Sequence, residues 1–208
     1  MQDIHYGLIL IAAFVATASP GPATLAIAGT AMSSGRPHGI ATAFGVLTGS
    51  FLWSFSGAFG MAAVMYANVW LFEILRYLGA AYLLFLAFKS FKSVVRPKPI
   101  TLEQMTSNSL QMSYLRGLGI HLTNPKVILF FGALYSMGVP SGVAVQGLLT
   151  IIFMIGLQSM CLFLGYALLF SHETFRRLYF RMSRVFDSLF TLFFGVAGVK
   201  MLLNKITP

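Results

Sequence analysis

The chain has 208 residues, of which 57% are hydrophobic and only 9% charged, and its formal net charge is +9. A mean hydropathy of +0.81 excludes a soluble domain, because so much apolar surface needs a bilayer as solvent. The positive charge does not imply nucleic acid. The lysines and arginines sit in short loops between apolar runs, with no aromatic-interleaved basic patch, so the lipid bilayer and its anionic headgroups are the fitting partner.

The lone Cys161 excludes an internal disulfide, a CxxC redox pair and a thiolate zinc site. Four histidines without His-x-x-x-His spacing offer no metal centre, and no cofactor is implied.

A crossing of about 30 Å takes roughly 20 apolar residues. By that measure six spans follow in order: 6–32, 40–66, 70–91, 115–138, 143–170 and 185–204. Ala16-Thr17-Ala18 resembles a signal-peptide cleavage site, but the residues before it carry Asp3 and no Lys or Arg. The first segment is therefore expected to be retained. In the third span Glu73 and Arg76 are spaced i, i+3 and share a helix face, so an ion pair near the membrane surface is expected. Residues 92–114 are polar, hold Pro97 and Pro99, and read as a cytoplasmic linker between a half at 1–91 and a half at 115–208.

Ten cations fall in the loops after spans one, three and five: Arg36, Lys89, Lys92, Arg96, Lys98, Arg116, Arg176, Arg177, Arg181 and Arg184. Arg76, Lys200 and Lys205 lie on the other side. The positive-inside rule then puts the odd loops in the cytoplasm and both termini outside. The expected fold is an all-α polytopic membrane protein. Its six transmembrane helices form an inverted repeat of two three-helix halves, with broken first and fourth helices.

Those breaks carry the chemistry. Ser19-Pro20-Gly21-Pro22 interrupts the first span and Thr123-Asn124-Pro125-Lys126 the fourth, and Pro20 and Pro125 stand 105 positions apart (125 − 20). Proline removes an N–H and displaces the carbonyl four residues earlier. Pro20 and Pro22 thus free the carbonyls of Ala16 and Ala18, and Pro125 frees that of His121. Gly21 allows bending and close approach of a ligand. Each restarted half-helix presents a positive N-terminus suited to a carboxylate, and freed carbonyls suit an ammonium. The pair of breaks predicts a central pocket for a small zwitterionic substrate.

Lys126 is placed well inside the fourth span, where a cation is expensive and by default functional. The bland alternative is a snorkelling or neutral lysine held by Asn124 or backbone. Other intramembrane polar groups are Ser50, Ser54, Gln158 and Ser159, a set that suits helix–helix glue. Of these, Ser50 and Gln158 join Pro20, Gly21, Pro22, Asn124, Pro125 and Lys126 as candidate substrate-binding residues. Gly45 and Gly49 form a small-xxx-small pair suited to close helix packing, and Trp53 and Tyr82 suit packing or a pocket wall.

Pro20-Gly21-Pro22, then Ser34-Gly35-Arg36 before a glycine-rich second helix, resembles the LysE/RhtB family of amino-acid exporters. So do Gly79-Ala80-Ala81-Tyr82-Leu83, Leu122-Thr123-Asn124-Pro125-Lys126 and Gly165-Tyr166-Ala167. The resemblance runs over nearly the whole chain. It implies a bacterial inner-membrane protein, not an enzyme, that exports amino acids or close derivatives and is typically coupled to the proton gradient. Some members carry carboxylates where this chain has Ser50 and Ser159. With no acid deep in a span, Asp187 near the cytoplasmic end of the last helix is the fallback coupling residue.

The leading reading is an alternating-access exporter with its site between the first and fourth helices. A non-catalytic membrane scaffold would explain the hydropathy but not two symmetric breaks and a buried lysine. An intramembrane redox protein or enzyme would need paired Cys, His or Asp within the spans. The particular amino acid, and whether copies associate into a homo-oligomer, are left open by the sequence.

Overall fold

A computed structural model describes residues 4–19, 21–96, 108–139 and 143–203. Its described residues form helices joined by short connections: α1 (Tyr6–Ala18), α2 (Pro22–Ser33), α3 (Arg36–Ala67), α4 (Val69–Val95), α5 (Leu110–Leu122), α6 (Pro125–Gly138), α7 (Val145–Leu169), α8 (Glu173–Arg181) and α9 (Ser183–Leu203). Four of them, α3, α4, α7 and α9, are long and apolar enough to cross a membrane singly. The pairs α1–α2 and α5–α6 are bent by 48° and 57°, and counting each as one span brings the total to six. The protein is an all-helical polytopic membrane protein. In chain order, a bent pair followed by two long helices occurs twice.

Local chemistry accounts for the boundaries. Proline stands at the first position of α2 and of α6, where its missing N–H costs nothing and its fixed φ suits a helix start. Gly35, at φ +88°, caps α3 in a conformation that favours glycine. Asn68, Ser109 and Asn124 each accept a hydrogen bond from a first-turn N–H, of Leu71, Met112 and Lys126 respectively. The Ser109 cap starts α5 earlier than hydropathy predicts, and α4 runs on to Val95. Residues 92–95 and 110–114 of the expected linker are therefore helical. Residues 97–107 of it, with Pro97, Lys98 and Pro99, lie outside the described residues, as does Lys205.

Helix α8 was not expected. Phe175, Leu178 and Tyr179 recur at helical spacing, with Arg177 among them and Arg181 after them, the pattern of a short amphipathic helix lying at an interface. A 20-residue hydropathy window averages such a segment away.

The main core gathers Ile9, Ala13, Tyr135, Ile151, Ile155, Phe190 and Phe194, and a second cluster joins Ile27, Val46, Phe163, Tyr166, Phe170 and Tyr179. Small residues bring α3 and α5 into backbone contact. A Cβ on Gly45 would lie 2.0 Å from the Tyr114 carbonyl oxygen, and one on Gly117 would lie 2.2 Å from that of Thr42. The outward faces carry Phe14, Phe44, Phe88, Phe153 and Leu192, the surface expected toward lipid.

Polar contacts tie one end of the bundle together. Arg36 Nε donates to Ser171 Oγ at 2.8 Å, and its Nη2 contacts the His172 ring. His38 Nδ1 lies 3.0 Å from Ser113 Oγ, and Ser93 Oγ donates to Asp187 at 2.7 Å. The chain segments flanking the three cation-bearing loops thus meet at a common end. The expected pairing of Arg76 with Glu73 does not form through Nε or Nη2. Both atoms lack hydrogen-bond partners, and the buried guanidinium lies over the Tyr77 ring at 5.2 Å.

Candidate functional site: a cavity where two broken helices meet

The two breaks touch. Lys126, at the second position of α6, reaches across to the end of α1, where its Nζ donates to Ser19 Oγ at 2.8 Å across 107 residues of sequence. The ammonium also lies 5.2 Å from the centre of the Phe190 ring, a cation–π contact from α9. Its placement follows from the break. Asn124 accepts the Lys126 N–H at 3.0 Å through Oδ1, which fixes the first turn of α6 and aims the side chain of the next-but-one residue toward α1.

Beside this contact is a cavity of about 60 Å³, several times the ~10–15 Å³ that one water needs. Its polar lining includes Thr17, Ser19, Thr24, Ser50, His121, Asn124, Lys126 and Ser159, and its apolar walls include Phe130, Phe131 and Phe163. Of the sequence candidates, Gly21, Ser50, Asn124 and Lys126 are brought together here. Pro22 and Pro125 build the half-helix starts behind it, and Pro20 lies outside the described residues.

Gln158 is not in the wall. Its Nε2 donates to the Leu10 carbonyl at 3.1 Å and ties α7 to α1, while its neighbour Ser159 faces the cavity. Asp187 sits behind Lys126 on α9, one turn before Phe190, and holds the Ser93 hydroxyl. It does not line the cavity.

The freed carbonyls differ from expectation. Ala18 O accepts from Tyr166 Oη at 3.1 Å and from Tyr179 Oη at 3.0 Å, and His121 O accepts from Asn124 N at 3.3 Å. The protein satisfies these groups itself, since an orphaned carbonyl in hydrocarbon is costly, so neither is free for an ammonium. Tyr166 stacks on Phe170 and Tyr179 meets both rings edge-on, an aromatic cluster that clamps the first break from α7 and α8. Each single Tyr→Phe substitution leaves the carbonyl one donor and is expected to lower thermal stability in detergent little. The double substitution Tyr166→Phe, Tyr179→Phe orphans it and is expected to cost ~1–3 kcal/mol, more than the sum of the two. Strict additivity in the unfolding midpoints would refute the shared-carbonyl arrangement.

Sequence reasoning missed the side chain of His121. It is 4% exposed, lines the cavity, and stands edge-on to Phe163 with ring centres 6.0 Å apart. Gly49 makes room for it, since a Cβ there would lie 3.0 Å from His121 Cβ and 3.2 Å from Cδ2. The legible signal was its position one turn after Gly117 and just before the break, on the face that packs against the glycines of α3.

The chain matches the family model described as LysE type translocator over residues 14–205. It is 30% identical to the uncharacterized membrane protein YahN of Escherichia coli K12, over 100% of this chain and 93% of that protein. It is 25% identical to a threonine efflux protein of Salmonella typhi and 24% identical to one of Escherichia coli K12. Each of those matches covers 92% of this chain and 94% of the relative. No solved structure matches it significantly. With nearly the whole length matched to that model, the chain belongs to the LysE type translocator family and is a multi-pass membrane transporter, not an enzyme.

Proposed function

We propose that this protein exports amino acids or close derivatives across the bacterial inner membrane by proton-coupled alternating access. The observation that carries the reading is the meeting of the two broken helices, Lys126 on Ser19, beside a cavity with polar groups on apolar walls. A zwitterion needs a cation or helix N-terminus for its carboxylate, and Lys126 with the starts of α2 and α6 supplies both. Threonine efflux relatives support the substrate class.

In this reading residues 1–91 and 115–208 are inverted halves joined by the connection between them. The end of the bundle that bears the cation-rich loops faces the cytoplasm, and both termini face outward. Rocking of one half against the other opens the cavity to each side in turn. The substrate-binding set is Gly21, Asn124, Lys126 and Ser50 at the cavity, with Pro20, Pro22 and Pro125 shaping the breaks. Asp187 acts on coupling through its field on Lys126.

Cells expressing the chain are expected to survive toxic levels of threonine or of another amino acid or analogue that vector-only cells do not survive, with the compound appearing in the medium. Protection against none of a full amino-acid panel would sink the exporter reading and favour a scaffold.

A further inference from the structure

Among the described residues, neither ring nitrogen of His121 has a hydrogen-bond partner, although the residue is 4% exposed and lines the cavity. A neutral imidazole carries one donor and one acceptor, and leaving a buried polar group unpaired costs ~1–3 kcal/mol. Gly49 is needed to fit this ring, and a smaller apolar side chain would incur neither penalty. The cavity therefore holds a group whose partner arrives from outside.

The rest of the wall defines that partner. Lys126 supplies the cation for a carboxylate, but no lining residue is acidic. The Ala18 and His121 carbonyls are engaged within the protein, and Asn124 Oδ1 is held by the Lys126 N–H. An incoming ammonium thus meets hydroxyls and one strong uncommitted acceptor, the unprotonated nitrogen of His121.

We propose that His121 is at once the acceptor for the substrate's ammonium group and the proton-binding site of the cavity, so that substrate and proton displace one another. The inference rests on the export reading and gives it an engine. With the ring neutral, its bare nitrogen accepts an ammonium N–H and the substrate binds. When a proton enters from the side of higher acidity, it takes the same lone pair, the ring becomes a cation, and the ammonium loses its acceptor and meets a like charge. One proton is bound as one substrate leaves, and the proton departs on the other face before the next substrate binds. No intramembrane carboxylate is required.

The groups that face the ring bear on its titration. Among the described residues, Lys126 of α6 is the one charged residue in the cavity wall. Against His121, α3 presents Gly49 and Ser50, and α7 presents Ser159 and Phe163. The ends of α1 and α2 present Thr17, Ser19 and Thr24. Tyr166 and Tyr179 are committed to Ala18. Asp187 of α9 holds the Ser93 hydroxyl, and His38 is held by Ser113 at the end of the bundle.

Two measurements test the proposal on the full chain purified in detergent. Calorimetric binding of threonine from pH 8 to pH 4.5, repeated in buffers of different ionisation enthalpy, should show affinity falling as the solution becomes acidic. Proton release should be near zero at pH 8, where the ring is already neutral, and should rise toward one per threonine bound in the acid arm, where binding must displace the ring proton. In His121→Gln, whose amide oxygen still accepts an ammonium, affinity at pH 8 should fall less than ~10-fold, while the acid loss and the proton release disappear. A His121→Gln protein that keeps the wild-type proton release overturns the proposal. The second measurement needs no substrate. With histidines ¹³C-labelled, the resonance absent in His121→Gln should move with pH between 4 and 8, and a ring silent through that range overturns the proposal. If the ring titrates but wild type binds no threonine and protects cells against no amino acid, the export reading has failed and takes the ammonium-acceptor role with it.

Discussion

Lys126→Met is expected to abolish concentrative export and weaken substrate binding roughly 10- to 100-fold, while leaving the folded protein as stable as wild type or more so. The first part follows from charge. A hydrogen bond to an ionised group contributes ~1.5–3 kcal/mol, and Lys126 is the one cation among the described residues of the cavity wall. The second part separates function from architecture. A cation inside a membrane protein is expensive, and its partners here are a neutral hydroxyl at 2.8 Å and an aromatic face, not a carboxylate. Replacing such a charge with an apolar side chain of similar volume is often neutral or stabilising.

A structural lysine would behave in the opposite way, losing stability with activity. Efflux from loaded vesicles and the thermal midpoint in detergent, measured on one preparation, decide between the two. Unchanged efflux would remove Lys126 from the site. Lys126→Arg is expected to recover only part of the activity, because a planar fork does not occupy the place of a compact ammonium beside Ser19.

The largest structural effect is expected at the crossing of α3 and α5. Gly45→Leu should destabilise the protein by ~3 kcal/mol or more, seen as a lowered unfolding temperature and aggregation on extraction. Its Cβ alone would lie 2.0 Å from the Tyr114 carbonyl oxygen and 2.8 Å from the Leu118 nitrogen. Both obstacles are backbone, which cannot rotate aside as a side chain can, so the two helices must separate. Separation would also break the Tyr114–Thr48 bond of 3.1 Å and the His38–Ser113 contact, and would move His121 relative to the cavity. Gly60→Ala is the control. A Cβ there meets nothing within 4 Å, and because alanine is the better helix former the substitution should leave stability unchanged or raise it by up to ~1 kcal/mol. If Gly45→Leu unfolds at the temperature of wild type, the backbone contact is not a determinant of the fold.

The two glycines of the Gly45-x-x-x-Gly49 pair show where sequence reading stops. Their spacing on one helix face is legible and predicts close packing, which Gly45 fulfils against α5 backbone. Gly49 is different, because it accommodates the His121 ring and so shapes the cavity. The same pattern serves packing at one position and the site at the other. The partner helix decides which, and nothing in the spacing names the partner. Ser159 and Gln158 make the same point. They are adjacent and polar, yet a rotation of about 100° per residue sends one to the cavity and the other to the Leu10 carbonyl.

By itself the sequence determined the solvent, the apolar spans and the two breaks. Apolar length, proline at a helix start and Asn or Ser at a cap act within a few residues, so they can be read without knowing what lies across the bundle. The two proline breaks, the intramembrane lysine and the family motifs are of this kind. Only the tertiary structure decided what meets what. Ser19 receives Lys126 from 107 residues away, two tyrosines from α7 and α8 occupy the Ala18 carbonyl meant for a ligand, and His121 turns inward with no partner. Those outcomes depend on how each helix is rotated about its axis and how closely it approaches its neighbours. In a membrane, hydropathy carries little of that information, because a residue facing lipid and a residue facing protein are equally apolar.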